Sequence, residues 1–371
     1  MRFTCPAREI ADAVANVQRV VSSKPPMPAL GGILIQAKNG TVTLTGYDAE
    51  VGVHTSIAAG IEEEGELVLD AKRFSDILHK QQDVPVLIYG DQRARAGIEA
   101  GSFNCKIQGT PAEEYPALPD VEGGVALSVS VKKLREMIRQ TVYAAAKSNE
   151  TKPIHTGVKF TLSGGQLLLA AIDGFRLALR KEAINYTGEP LSFVVPQKAL
   201  AEIMNIDVPE DAEVSVIPGA RHISFEAGNF FIVSRLLDGE FMNYEAAIPM
   251  EFRTDATVNT ALYLSAVDKL SPLIEEKLKS PVRTEFMPEQ GTIDISCETA
   301  IGTARSSIGA DISGDPLVVG FNNRFLMEAL RACDTDEIRV KTASPLQPVL
   351  LLPPEGDHFL FMVLPVRLRD N

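Results

Sequence analysis

The side chains able to do chemistry are few and scattered. Five histidines, His54, His79, His155, His222 and His358, stand singly along 371 residues. None has a nucleophile or a carboxylate pair at a spacing that would complete an acid–base or acyl-transfer site. A phosphate-cradling GxxxxGKS/T loop, a GxGxxG turn, a GxSxG elbow and an HExxH helix are all missing from the sequence. Asp48, in Thr45-Gly46-Tyr47-Asp48, and Asp173 stand where strands end and could hold a magnesium ion. An aspartate before a turn more commonly accepts hydrogen bonds from the turn's own backbone. Cys5, Cys105, Cys297 and Cys333 lie far apart with no CxxC pair, which predicts reduced, mostly buried thiols rather than a metal or redox site. No cofactor is expected. What remains is recognition chemistry: Asp173-Gly174-Phe175-Arg176 sets an aromatic and an arginine beside a tight turn, the residue types that anchor a partner.

That turn needs strands to hold it. An apolar run to Ile172 precedes it, and Leu177 and Leu179 alternate with Ala178 and Arg180 after it, so Ala170 to Arg180 reads as a hairpin. The surroundings repeat. The segments around Phe74, Leu200 and Leu326 stand 126 residues apart, with Lys72, Lys198 and Arg324 in one register and Asp76, Glu202 and Glu328 in another. Each leaves an apolar strand and continues with helical spacing. A second helical family is predicted at Ala7 to Val21, Val131 to Ala146 and Ala266 to Lys279, with alternating strand-like segments between. Two Pro-rich stretches, 111–120 and 241–249, each carry a Tyr before a Pro and suit crossings between domains. An α+β chain of three units follows, each with two helices packed on antiparallel sheet.

Length alone favours two or three domains, and 45% apolar with 23% charged residues describes a globular protein. No run reaches the apolar length of a membrane span and the N-terminus lacks a secretory core, so a cytoplasmic protein is expected. A net charge of −13 argues against a uniformly DNA-binding surface. The helical segments nevertheless carry more Lys and Arg than Asp and Glu, most densely at Lys132, Lys133, Arg135, Arg139 and Lys147. A repeated cation at one structural position points to helices sharing a surface that faces a polyanion. From the residues alone, a DNA clamp, a repeat-built interaction scaffold and an unfamiliar hydrolase all stay open.

Six landmarks in order carry a resemblance: Pro28 to Leu34, Leu44 to Glu50, Ile172 to Ala178, Ser234 to Phe241, Gly320-Phe321-Asn322 and the C-terminal Leu364-Pro365-Val366-Arg367-Leu368. The chain resembles the bacterial DNA polymerase III beta subunit, the replicative sliding clamp family, from end to end. The resemblance implies three DNA-clamp domains at residues 1–120, 128–249 and 250–371. It also implies a head-to-tail homodimer closed into a ring, with helices lining the hole, and a processivity role without catalysis. Duplex DNA would be encircled without base readout, and a clamp loader and the replicative polymerase would be partners.

Residues carry over from the family one at a time. Lys24, Arg73 and Asn149 match positions that contact DNA, and Lys72, Lys198 and Arg324 join them from the repeat. A peptide pocket between the second and third domains would use His155, Gly174, Phe175, Arg176, Leu177, Met242, Ala247, Met362, Leu364, Pro365, Val366 and Arg367, with Arg176 and Arg367 as hydrogen-bond donors at its edge. Ile172 and Phe175 stand where related clamps commonly carry Thr and His, and the Arg369 to Asn371 tail would flank the pocket. Ring closure would set Cys105 and Ile107 of one copy against Leu273 and Ile274 of another.

Overall fold

Among the described residues six short α-helices and several 3-10 turns punctuate a chain made mostly of antiparallel strands. The structure is a computed structural model, and it describes all residues except 82–83, 92, 122–123, 125, 148–151, 275–279 and 369–371. The helices are α1 (Ala7–Gln18), α2 (Ala71–Leu78), α3 (Val131–Thr141), α4 (Gln197–Asn205), α5 (Thr260–Asp268) and α6 (Asn323–Ala332). The first residues of α2, α4 and α6 keep the 126-residue step of the sequence repeat. Two of these helices start on a side-chain cap: Asp70 accepts the Arg73 N–H and Asn322 the Phe325 N–H. α1 buries Ile10, Val14 and Val17 along one stripe against α2 and the strands Thr41–Tyr47 and Val51–Ala58. α5 is the exception to the predicted spans. It runs Thr260–Asp268, capped by Asn259, and a 3-10 turn follows at Ser271–Leu273, because Pro272 cannot continue an α-helix with a full hydrogen-bond set. Within the predicted Ala266 to Lys279 helix, residues 269–274 are not α-helical, and 275–279 lie outside the described residues.

The strands form four sheets. Sheet I has five, ordered Gly60–Glu63, Arg2–Pro6, Pro85–Gly90, Arg95–Ala100, Phe103–Gln108. Sheet II has eight: Leu127–Ser130, Glu213–Pro218, His222–Ala227, Phe230–Arg235, then Val51–Ala58, Thr41–Tyr47, Gly32–Lys38, Gly65–Asp70. Sheet III has nine: Leu191–Pro196, Gly157–Ser163, Gln166–Ile172, Arg176–Ala183, then Phe359–Val363, Val349–Leu352, Glu337–Thr342, Thr254–Asn259, Asp311–Gly314. Sheet IV has four: Gly302–Gly309, Thr292–Thr299, Val282–Met287, Leu317–Phe321.

The described chain packs into two compact units, Met1–Arg135 with Lys198–Leu236, and Glu136–Gln197 with Leu237–Asn371. These differ from the three stretches of the sequence repeat for a physical reason. The middle repeat gives its strands 213–235 to sheet II and its strands 157–196 to sheet III, and strand pairing outweighs chain order.

Sheets II and III are built alike, each from two halves joined along one antiparallel seam. In sheet II the seam pairs Phe230 with Thr55 and Ser234 with Val51. In sheet III it pairs Phe359 with Arg180 and Val363 with Arg176. Sheets I and IV match the two kinds of half. Phe103–Gln108 ends sheet I in the place of Phe230–Arg235, and Gly302–Gly309 ends sheet IV in the place of Val51–Ala58. Both end strands are alternately exposed along their length.

The turn before each seam strand repeats as well. Asp173 accepts the Phe175 and Arg176 N–H groups at 2.9 and 3.1 Å, and Asp48 accepts those of Glu50 and Val51 at 2.9 and 2.7 Å. Gly174 takes φ +88° in this turn, whereas its counterpart Ala49 is held at φ +79°. A left-handed alanine is strained and a glycine is not. Gly174→Ala, which meets no atom within 4 Å, is expected to cost about 1 kcal/mol, and Ala49→Gly to recover a similar amount, both read from urea unfolding midpoints.

Candidate functional site

Arg176 sits on the first position of its strand and is 6% exposed. Its Nε–H reaches the Asp173 carboxylate at 2.9 Å and a terminal nitrogen pairs with Glu328. The guanidinium lies 4.5 Å from the ring centre of Phe325 and 5.3 Å from that of Tyr143. Arg176, expected as a hydrogen-bond donor at a pocket edge, is buried between the turn and α6 in this structure. A turn-exit arginine is legible in sequence, but Glu328, 152 residues away, and the two rings that bury it are not. Arg176 is a brace between the turn and α6.

Around this brace the chain assembles an apolar cluster. Leu177, Ile172, Met362, Ala170, Leu350 and Tyr244 are buried together, with Ala247, Phe241 and Ile248 packed over them. Leu177 and Met362 are thus a covered floor. Phe175 (58% exposed) and Met242 (45%) form the accessible rim, and Phe175 stacks on Phe325 at 5.9 Å between ring centres. The C-terminal stretch is tied to the turn by the Leu364 N–H, which donates to the Phe175 carbonyl at 2.8 Å, and Pro365 follows it. His155 lies edge-on to Phe241 at 5.4 Å, and its Nε2 is buried without a protein partner. Burial, aided by Lys152, pushes its pKa down, so the ring is neutral at physiological pH. The Val366 N–H bonds the Gly320 carbonyl, and Val366 and Arg367 line an open groove on sheet IV. Phe325, Tyr143 and Tyr244 are site residues that sequence reasoning missed. Only Glu328 carried a signal, its register with Asp76 and Glu202.

The expected DNA contacts fall into one structural class. Lys72, Lys198 and Arg324 are each the second residue of a helix, α2, α4 and α6, and all three are exposed, as are Arg73 and Lys24. A cation at a helix N-terminus opposes the helix dipole at about 0.3–1 kcal/mol. Its repetition argues for an external anion that offsets the cost. Lys198 also pairs with the Asp48 carboxylate. Asn149 and the tail Arg369 to Asn371 lie outside the described residues. Two cations of the dense α3 cluster have structural work instead: Arg135 donates to the Ile203 carbonyl at 3.2 Å at the end of α4, and Arg139 to the Arg331 carbonyl at 3.3 Å in the last turn of α6.

Both strand-end aspartates serve turns, and among the described residues no group of three or more His, Cys, Asp or Glu could hold a metal ion. No described helix is long and apolar enough to cross a membrane. All four cysteines are free thiols, and burial pushes Cys5 up to about 12 and raises Cys105, Cys297 and Cys333. Cys105 and Ile107 are half-buried on the end strand of sheet I. Leu273 lies beside Gly302 at the start of the end strand of sheet IV, and Ile274 is half-buried next to it.

Three sequence repeats of helices backed by antiparallel sheet define the DNA-clamp class of fold. Comparison with known proteins is specific. Residues 1–119, 128–243 and 245–367 match, in turn, the N-terminal, central and C-terminal domain families of the DNA polymerase III beta subunit. The beta sliding clamp of Bacillus subtilis is 32% identical over 378 residues, covering 99% of this chain and all of the relative. That of Synechococcus elongatus is 31% identical over 377 residues, covering the whole of both. The crystal structure of the Bacillus subtilis DNA polymerase sliding clamp superposes with a TM-score of 0.95 over the full length of both chains, at 32% identity. The chain belongs to the DNA polymerase III beta subunit family.

Removing the Arg176 side chain leaves Asp173 and Glu328 without their shared cation in a largely buried setting. Arg176→Ala is expected to lower stability by on the order of 3 kcal/mol in urea unfolding, whereas an exposed edge donor would cost almost nothing.

Proposed function

We propose that this protein is a sliding clamp that closes as a head-to-tail dimer around duplex DNA and tethers the replicative polymerase. One observation carries the reading. The chain completes two junctions joined along seams of the same register, one of eight strands and one of nine, and carries two further halves, in sheets I and IV. A second copy supplies the missing halves, and doing so twice closes a ring in which both of these end strands are paired.

The register of the missing seam follows from the other two. In both, the first residue of one strand opposes the fifth of its partner: Phe230 with Thr55, and Phe359 with Arg180. The same count sets Phe103 opposite Ser306, Cys105 opposite Ala304 and Ile107 opposite Gly302. Because Leu273 lies beside Gly302, Ile107 of one copy meets Leu273 of the other, as expected from the resemblance. The domains then run 1–120, 128–249 and 250–371.

With six such units the cations at 72, 73, 198 and 324, with Lys24, face the hole and attract the duplex through exchangeable contacts, while the remaining acidic surface repels DNA outside. Topology rather than affinity retains the DNA, so no base readout and no catalysis are required. A loader opens the ring, and the protein acts in the cytoplasm. Partner peptides dock at the exposed Phe175 and Met242, beside the apolar cluster around Leu177.

On nicked circular DNA the loaded protein is expected to stay bound at salt that abolishes ionic binding, and to be lost within minutes of linearisation. Equal loss from both forms would contradict encirclement. Phe175→Ala with Met242→Ala, both exposed, is expected to weaken a polymerase-derived peptide about tenfold, roughly 1.4 kcal/mol, with unfolding unchanged.

A further inference from the structure

The two seams inside the chain are joined on one face by apolar and aromatic side chains. In sheet II the second residue of one seam strand meets the fourth of the other as Phe231 and His54, whose rings stack at 4.8 Å between centres. The next pair on that face is Val233 with Gly52. In sheet III the corresponding pairs are Leu360 with Leu179 and Met362 with Leu177. Contacts of this kind bury apolar surface and do not depend on charge.

The end strands of sheets I and IV carry different residues at these positions. By the same count Asn104 takes the place of Phe231 and Arg305 that of His54, while Lys106 takes the place of Val233 and Thr303 that of Gly52. All four are exposed. One strand further in, Glu99 stands beside Asn104 in sheet I and the exposed Glu298 beside Thr303 in sheet IV. Glu99 accepts the Tyr89 hydroxyl at 3.3 Å and the Asn104 amide at 3.0 Å. Arg305 pairs with Asp294 of its own sheet and is 73% exposed, and its five N–H donors exceed what one carboxylate accepts.

Charge distinguishes the possible registers of these two strands. Sliding one past the other by a single residue sets exposed side chains against covered ones. Sliding by two keeps the faces matched but gathers like charges. In one direction Lys106 comes opposite Arg305 and Glu99 comes into line with Asp294, and in the other Glu99 comes into line with Glu298. Of these registers, the one shared with the internal seams lines up opposite charges in both rows: Glu99 with Arg305 across Asn104, and Lys106 with Glu298 across Thr303. Each pair spans two strand spacings, about 10 Å between Cα atoms, a gap that extended Glu, Lys and Arg side chains bridge.

Resting on the ring reading, we propose that two ion pairs, Glu99 with Arg305 and Lys106 with Glu298, fasten and align the seam between copies. The partner this surface fits is a second copy of the chain in one register, since a copy docked out of register meets like charge. The joint that must part for DNA to enter is thus held on this face by charge, where the joints inside the chain are held by apolar side chains.

Fluorescence-detected sedimentation of the full-length protein gives the dimer dissociation constant. It is expected to rise about tenfold from low to high sodium chloride. Lys106→Glu and Glu298→Lys are each expected to weaken the dimer by at least about tenfold, with the circular dichroism spectrum unchanged. Mixed in equal amounts, the two variants are expected to recover the wild-type affinity, because each seam of the mixed ring again joins opposite charges. Weakening without recovery on mixing, or a dissociation constant indifferent to both variants, would overturn the charge pairing and leave the ring reading standing. A wild-type protein that stays monomeric at every concentration would overturn both.

Discussion

Backbone pairing between the edges of half-sheets is the constraint on which the structure depends. An unpaired strand edge exposes a row of N–H and C=O groups that must find partners or water, and this chain settles two such edges internally. The seams at 230–234 with 51–55 and at 359–363 with 176–180 share one register. That shared register forces the middle repeat to divide its strands between two sheets, which is why compactness and sequence repetition draw different boundaries. It also gives the remaining edges, Phe103–Gln108 and Gly302–Gly309, their meaning.

Charged side chains are arranged around this plan in two different roles. Buried or partly buried arginines fasten helix ends and turns: Arg19 holds Glu202 and the Asn205 carbonyl, Arg176 holds Asp173 and Glu328, and Arg135 and Arg139 cover the carbonyl ends of α4 and α6. The exposed cations at 72, 73, 198 and 324 occupy helix N-terminal turns, where the helix dipole disfavours them and a nearby anion stabilises them, as Asp48 does for Lys198. Net charge hides this division. The value of −13 describes the whole surface and says nothing of where the cations stand.

Much of the plan was legible in the sequence because it depends on local periodicity. The helices at 71, 197 and 323, the Asp173 hairpin, the antiparallel strands and the paired connectors all follow from residue spacing, and Asp48 and Asp173 act as the turn formers their position suggests. Long-range partners were not legible. Arg176 looked like an exposed anchor because Glu328, Phe325 and Tyr143 are distant in sequence. The apolar character of Leu177 and Met362 suggested an open pocket, whereas Tyr244, Phe241 and Ala247 cover it. The helix expected at Ala266 to Lys279 begins earlier, at Thr260, because the Asn259 side chain caps it by accepting the Leu262 N–H. The bridge between Gly320 and Val366, which ties the C-terminal stretch to sheet IV, joins residues too far apart in sequence to be read from spacing.

The central claim is that sheets I and IV of different copies form a third seam in the register of the other two. Cys105 is already in place on one side, and Ala304→Cys would put a thiol directly opposite it, within the Cα separation a disulfide bridges. After mild oxidation at alkaline pH, the Ala304→Cys protein is expected to run as a covalent dimer on a denaturing gel, and Thr303→Cys, whose side chain points to the other face, is expected to remain a monomer. A monomer from both variants, or equal cross-linking in both, would contradict the account.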